Sequence, residues 1–98
     1  MSFSLSFSCS AKESLKELKA CANLEKRYRA VTKSLRFLTE NPRHPSLQTH
    51  EYHSLTGPKG EKVFEAYAEQ DTPAAYRIFF YYGPNHGSIT IIAITPHP

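Results

Sequence analysis

Arg77 is the residue of this chain whose setting most needs a chemical explanation. It falls within Ala75–Tyr82, a run of aromatic and β-branched residues. A guanidinium there is costly to desolvate unless it is paired or faces a groove. Two readings fit: an ion pair with Glu65 on a neighbouring strand, or a clamp for an anion such as a phosphate. Histidines are the other titratable groups. His44, His50 and His53 gather with Glu51 in one proline-bounded stretch, and His97 stands between Pro96 and Pro98, which stiffen its position. The spacing His50-x-x-His53 suits two metal ligands. A proline-bounded loop is a poor frame for the remaining ligands, so neither metal nor cofactor is expected. The loops Gly57-Pro58-Lys59-Gly60 and Gly83-Pro84-Asn85-His86-Gly87 lack the strand-loop-helix setting of a phosphate cradle.

The elements that must carry these residues follow from periodicity. Phe3, Leu5 and Phe7 alternate with serines, the pattern of a half-buried strand. Ser10 and Glu13 fit a capping box opening a helix through Ala11, Leu15, Leu18 and Ala22. Asn23 is placed to cap a second helix, whose apolar stripe is Leu24, Tyr28, Val31, Leu35 and Leu38. That helix ends before Asn41-Pro42, because proline disfavours helical geometry in the residue before it. Asn41 to Gly60 reads as loop with at most a short strand around His50–Leu55. Strands are then expected over Glu61–Glu69, Ala75–Tyr82 and Ser88–Thr95, the second of them central because it is bulky on both faces. The fold class is therefore α+β, with order β-α-α-β-β-β. A helical hairpin packs on one face of a mainly antiparallel sheet and leaves the other face partly free.

Ninety-eight residues, 40% hydrophobic, support one domain over 1–98 and one core. The longest apolar runs, Ile78–Tyr82 and Ile91–Ile94, fall far short of the ~20 residues of a membrane helix. Two cysteines and no export signal in the first residues make the cytoplasm the expected location. The net charge of +3 is unevenly shared. Ala11–Arg43 carries nine Lys/Arg against four Glu, a net +5. From His44 onward three Lys/Arg face five acids, a net −2, and all five histidines lie there. A basic helical half suits an acidic partner or a polyanion.

Three segments together resemble a known family. They are Leu38-Thr39-Glu40-Asn41-Pro42-Arg43-His44-Pro45-Ser46-Leu47-Gln48-Thr49-His50, the aromatic strand Ala75-Tyr76-Arg77-Ile78-Phe79-Phe80-Tyr81-Tyr82, and the closing Ile91-Ile92-Ala93-Ile94-Thr95-Pro96-His97. These resemble the helix-to-sheet junction, the arginine-bearing strand and the C-terminal histidine of RelE/ParE-type toxins of bacterial toxin–antitoxin modules. The resemblance implies a RelE-like toxin that cleaves messenger RNA on the ribosome without a metal. On that scheme Arg77 stabilises the phosphate, His97 is general acid or base, and His53 is the second proton-transfer group. Lys59, Lys62, Arg43, His50 and Tyr81 would bind substrate, Tyr81 by stacking a base. The implied partners are a cognate antitoxin, in a toxin–antitoxin hetero-oligomer, and the ribosome with its mRNA; no membrane is involved. The alternatives are a non-catalytic ParE-like inhibitor of DNA gyrase and an inactive regulatory module. They draw on the net-negative sheet half and on Pro98, where some family members have an aromatic residue.

Overall fold

The computed structural model describes residues 2–70 and 72–96. Its first strand, β1 (Ser4–Phe7), keeps Leu5 and Phe7 half-buried and exposes Ser4 and Ser6, as their alternation requires. Helix α1 (Cys9–Ala20) follows at once, and after a 3-10 turn at Ala22–Leu24 comes α2 (Glu25–Glu40). A second 3-10 turn, Pro45–Leu47, leads into β2 (His50–Thr56), β3 (Lys62–Tyr67), β4 (Tyr76–Tyr82) and β5 (Ser88–Pro96). The five strands form one sheet in the order β1-β5-β4-β3-β2. Among the described residues only the β1–β5 pair is parallel.

Both helices lie on one face of this sheet. Leu18 of α1 and Val31, Leu35 and Leu38 of α2 share a buried cluster with Ile78 and Phe80 of β4 and Ile89, Ile91 and Ile94 of β5. The spacing of the three isoleucines breaks a strict alternation, and a bulge accounts for it. Phe79 pairs with Ala93 but Phe80 pairs with Ile91, so Ile92 is an extra residue that resets which side chains face the helices.

The same bulge decides where α1 begins. The helix is capped by Ser8 and not by Ser10: Ala11 N donates to Ser8 Oγ at 3.1 Å, and that hydroxyl donates to the Ile92 carbonyl at 2.9 Å. One side chain thus satisfies an orphan helix donor and the carbonyl of the bulge. Ser8→Ala is expected to cost about 1–2 kcal/mol, measured as a lowered midpoint in urea unfolding. Helix α2 also starts differently from the sequence reading. The residues Ala22–Leu24 form the 3-10 turn instead of an Asn23 cap, and no side chain caps the helix. Its first-turn Glu25 pairs with Arg29 at 2.7 Å, a favourable charge at the N-terminal end of the dipole.

The segment read as loop with at most a short strand is a full edge strand, but an irregular one. Glu51 pairs with Phe64 and Thr56 with Lys62, so Tyr52–Leu55 have only Val63 opposite them. The slack carries Tyr52 over Phe79, ring edge to ring face at 4.8 Å. The sheet face away from the helices is therefore less open than expected. Val63, Glu65, Phe79 and Tyr81 on it are all buried. β4 is central and buried on both sides, as its composition demands.

Candidate functional site

Strand register places the chemistry. Arg77 pairs with Tyr67, and Glu65, two residues earlier on β3, pairs with His50 of β2 on its other side. All lie on the face away from the helices, where directly opposite and diagonal neighbours are within side-chain reach. Arg77 Nη1 donates to Glu65 Oε2 at 2.5 Å, and His50 Nε2 lies 2.7 Å from Glu65 Oε1. The Glu65 side chain is only 4% exposed and that of Arg77 14%. Burial of this carboxylate is tolerable because both oxygens are engaged by charged or polar hydrogens. The guanidinium also lies over the Phe79 ring at 5.0 Å, while its Nε is buried without a hydrogen-bond partner among the described residues. His50 Nδ1 is 3.0 Å from the Gln48 carbonyl. Both ring nitrogens thus face oxygens, and the ring donates to both only when it carries both protons.

Beside this trio opens a cleft of about 510 Å³, walled by Gln48, Tyr67, the loop between β3 and β4, and Arg77. The loop is fixed from outside by Arg27 of α2. Its Nη1 donates to Glu69 Oε1 and to the Ala74 carbonyl, both at 2.9 Å, and its Nη2 donates to the Pro73 carbonyl at 3.1 Å. Glu69 in turn accepts from the Tyr76 N–H at 3.2 Å. On β5 the last described residue, Pro96, pairs with Tyr76, so the end of the closing strand comes to the rim of the cleft. A guanidinium at the wall of such a cleft can hold an oxyanion, with part of its charge already balanced by Glu65.

No family model matches the chain, and no curated protein matches it in sequence. Solved structures do match in fold. A YoeB/ParE toxin from Agrobacterium tumefaciens superposes with a TM-score of 0.71 at 9% identity, over 98% of this chain and 100% of that one. The YoeB dimer from Staphylococcus aureus gives 0.68 at 15% identity, over all of both chains. The archaeal RelE of Pyrococcus horikoshii, crystallised as a RelE–RelB complex, gives 0.66 at 15%, over 98% of this chain and 96% of that one. The fold is that of the RelE and ParE toxins.

Within this RelE-type fold, the residues singled out from sequence separate into two groups. Arg77 and His50 meet through Glu65, and Arg77 lines the cleft. His97 lies outside the described residues. The others are elsewhere. The His53 side chain is 81% exposed and 3.4 Å from Glu51, on the irregular stretch of β2 and away from the cleft wall. Lys62 opens β3, whose other end carries Tyr67 beside Arg77, about 17 Å along the strand. Lys59 is exposed in the turn before it. Tyr81 is 7% exposed and four residues along β4 from Arg77; packing on the central strand covers the ring that base stacking would need. Arg43 acts on Tyr82 at the far end of β4: burial pushes the phenol above its ordinary value, and the Arg43 charge pulls it back down. Among the described residues no three His, Cys, Asp or Glu side chains gather as a metal-binding group.

The cleft wall itself was missed. Gln48, Tyr67 and Gln70 have no motif, but Arg27 does leave a signal. It lies four residues before Val31, seven before Ser34 and eleven before Leu38, all buried. An arginine on that flank of a buried stripe must find partners across the interface.

Proposed function

We propose that this chain is the toxin of a type II toxin–antitoxin module, a ribosome-dependent and metal-independent endoribonuclease that cleaves messenger RNA. The observation that supports it best is Arg77 on the wall of a cleft to which β5 brings its end, in a chain with the RelE-type fold. RNA cleavage without a metal needs three things. A base takes the 2′-OH proton, a cation meets the charge gathering on the phosphorus-bound oxygens, and an acid protonates the departing 5′-oxygen. Arg77 is assigned the cation's role and His97 one of the proton transfers. The other goes to His50 rather than His53, because His50 is the ring tied to Arg77 through Glu65. The partner is an antitoxin, as for the RelE crystallised with RelB. Its docking is aided by the +5 helical half, whose lysines Lys12, Lys16 and Lys19 flank the apolar Phe7, Leu15 and Tyr28. A ribosomal target implies a cytoplasmic protein, and among the described residues no helix is long and apolar enough to cross a membrane.

The second reading is a non-catalytic toxin that binds a protein target such as DNA gyrase. The pairing of Arg77 with a buried carboxylate favours it, since the charge is already partly spent. Purified chain is to be assayed for cutting of a translated message on ribosomes and for inhibition of DNA supercoiling. The expected result is cutting alone, reduced about 10²–10⁴-fold by His97→Ala. Inhibited supercoiling with an intact message would overturn the endoribonuclease assignment.

A further inference from the structure

We infer that His50 and Glu65 are positioning residues that set how much of the Arg77 charge the cleft offers to a phosphodiester. A protonated His50 holds Glu65 between two cations, and a neutral His50 releases it onto Arg77. Affinity for an RNA backbone then falls as the pH rises and this one ring loses its proton. The inference rests on the endoribonuclease reading and adds a control to the site described there.

The first support is the sharing of one carboxylate. Glu65 Oε1 faces His50 Nε2 at 2.7 Å, and Oε2 accepts from Arg77 Nη1 at 2.5 Å. With a neutral ring these three side chains carry no net charge; with a protonated ring they carry one positive charge beside the cleft. Glu65 is almost wholly buried, so water does little to screen that difference. His50 is half-exposed and exchanges its proton with solvent, and imidazole is the side chain that changes charge near neutral pH.

The change is geometric as well. The Gln48 carbonyl, 3.0 Å from His50 Nδ1, can only accept, so it calls for a proton on Nδ1. Its place is fixed: Gln48 has left-handed backbone (φ 47°) and closes the 3-10 turn with its N–H on the Pro45 carbonyl. Among the described residues one other non-glycine position has positive φ, Ala74 (54°), which lines the same cleft and is held by Arg27. A neutral ring protonated on Nδ1 turns a lone pair toward Glu65 Oε1, and two acceptors 2.7 Å apart repel each other. The released oxygen has somewhere to go. Arg77 is engaged with Glu65 through Nη1 alone; among the described residues Nη2 makes no hydrogen bond and the buried Nε has no partner. A carboxylate that takes Nη1 and Nη2 together forms the strong bidentate pair, and it then occupies the nitrogen a phosphate oxygen would use. Other groups leave this control to Glu65. Tyr67 of β3 meets the ring edge-on at 5.7 Å, Glu51 and His53 of its own strand pair with each other, and Arg77 of β4 acts on it through Glu65.

The test measures binding of a 2′-O-methyl uridine tetranucleotide to the full chain between about pH 5.5 and 8, the range in which imidazole titrates. The probe has no 2′-OH to be activated, and its charge is constant over that range. Parent affinity is expected to fall about tenfold, within the usual span of coupling between linked sites. Linkage is reciprocal, so saturating probe should raise the pH midpoint of the His50 ring signals in NMR by about one pH unit. Glu65→Gln should bind tightly at every pH and His50→Leu weakly at every pH, any slope common to both belonging to the other histidines. Should Glu65→Gln fail to fold, His50→Leu and the His50 midpoint decide the matter. A parent-like fall in a folded variant, a midpoint that ignores the probe, or no binding at any pH would overturn the inference. If a translated message is cut while binding is flat with pH, only this control falls. If binding responds as expected and no message is cut, the endoribonuclease reading falls and the control of Arg77 stands.

Discussion

Arg77→Ala is expected to remove RNA cleavage and to destabilise the fold together, and the two losses have different causes. Deleting the guanidinium strands Glu65, whose side chain is 4% exposed and would keep only His50 as a partner. Breaking a buried ion pair by removing one member typically costs about 3–5 kcal/mol, because a charge is left uncompensated. For a chain of 98 residues that lowers the unfolding temperature by more than about 10 °C. The catalytic loss, on the order of 10²–10³-fold, comes from the missing charge at the phosphate. A double replacement separates them. Glu65→Leu with Arg77→Met exchanges the pair for apolar volume, and such exchanges are often neutral or stabilising. Thermal melts should then return close to those of the parent chain while cleavage stays lost. Recovery of cleavage in the double variant would show that Arg77 serves the fold alone.

Phe80→Ala is expected to be the most damaging single change to stability. Phe80 is fully buried at the centre of the middle strand, facing the helices, with Phe64 and Tyr82 packed at ring distances of 5.8 and 5.7 Å. Truncating a buried phenylalanine costs about 3–5 kcal/mol in lost burial and cavity formation. Small domains hold only about 5–15 kcal/mol in total. The variant should melt near or below physiological temperature, as seen by circular dichroism. Phe80→Leu, which keeps most of the volume, should lose less than half as much. Equal losses for the two would mean that the ring is not packed as described.

What the sequence disclosed and what it hid follow physical range. The β1 alternation, the stripe of α2 and the central position of β4 are written in neighbouring residues, and all three appear as read. The start of α1 was misplaced by two residues. Ser8 and Ser10 are both competent caps, and the choice is made by the Ile92 carbonyl, 84 residues away in sequence. The strand β2 was read as at most a short one around His50–Leu55, because Tyr52–Leu55 bulge against Val63 and never alternate. The partnership of Arg77 with Glu65 was foreseeable, since strand alternation puts both on one face. The cleft was not, because its walls depend on an arginine from α2 and on two backbone conformations that composition does not specify.

The parallel pairing of β1 with β5 joins Ser4 to Ser88 and Phe7 to Ile91, residues 84 positions apart in sequence. It has a consequence for synthesis. β5 lies between β1 and β4, so a nascent chain ending before Ser88 has no neighbour for its first strand and lacks Ile89, Ile91 and Ile94 from its core. Contacts this distant in sequence form late, after the loop between them is closed. The strand that completes the fold is also the one that ends beside Tyr76 at the cleft. Nascent chains still missing β5 therefore lack both the core and the strand that ends beside Tyr76, so fold and cleft are completed by the same late segment.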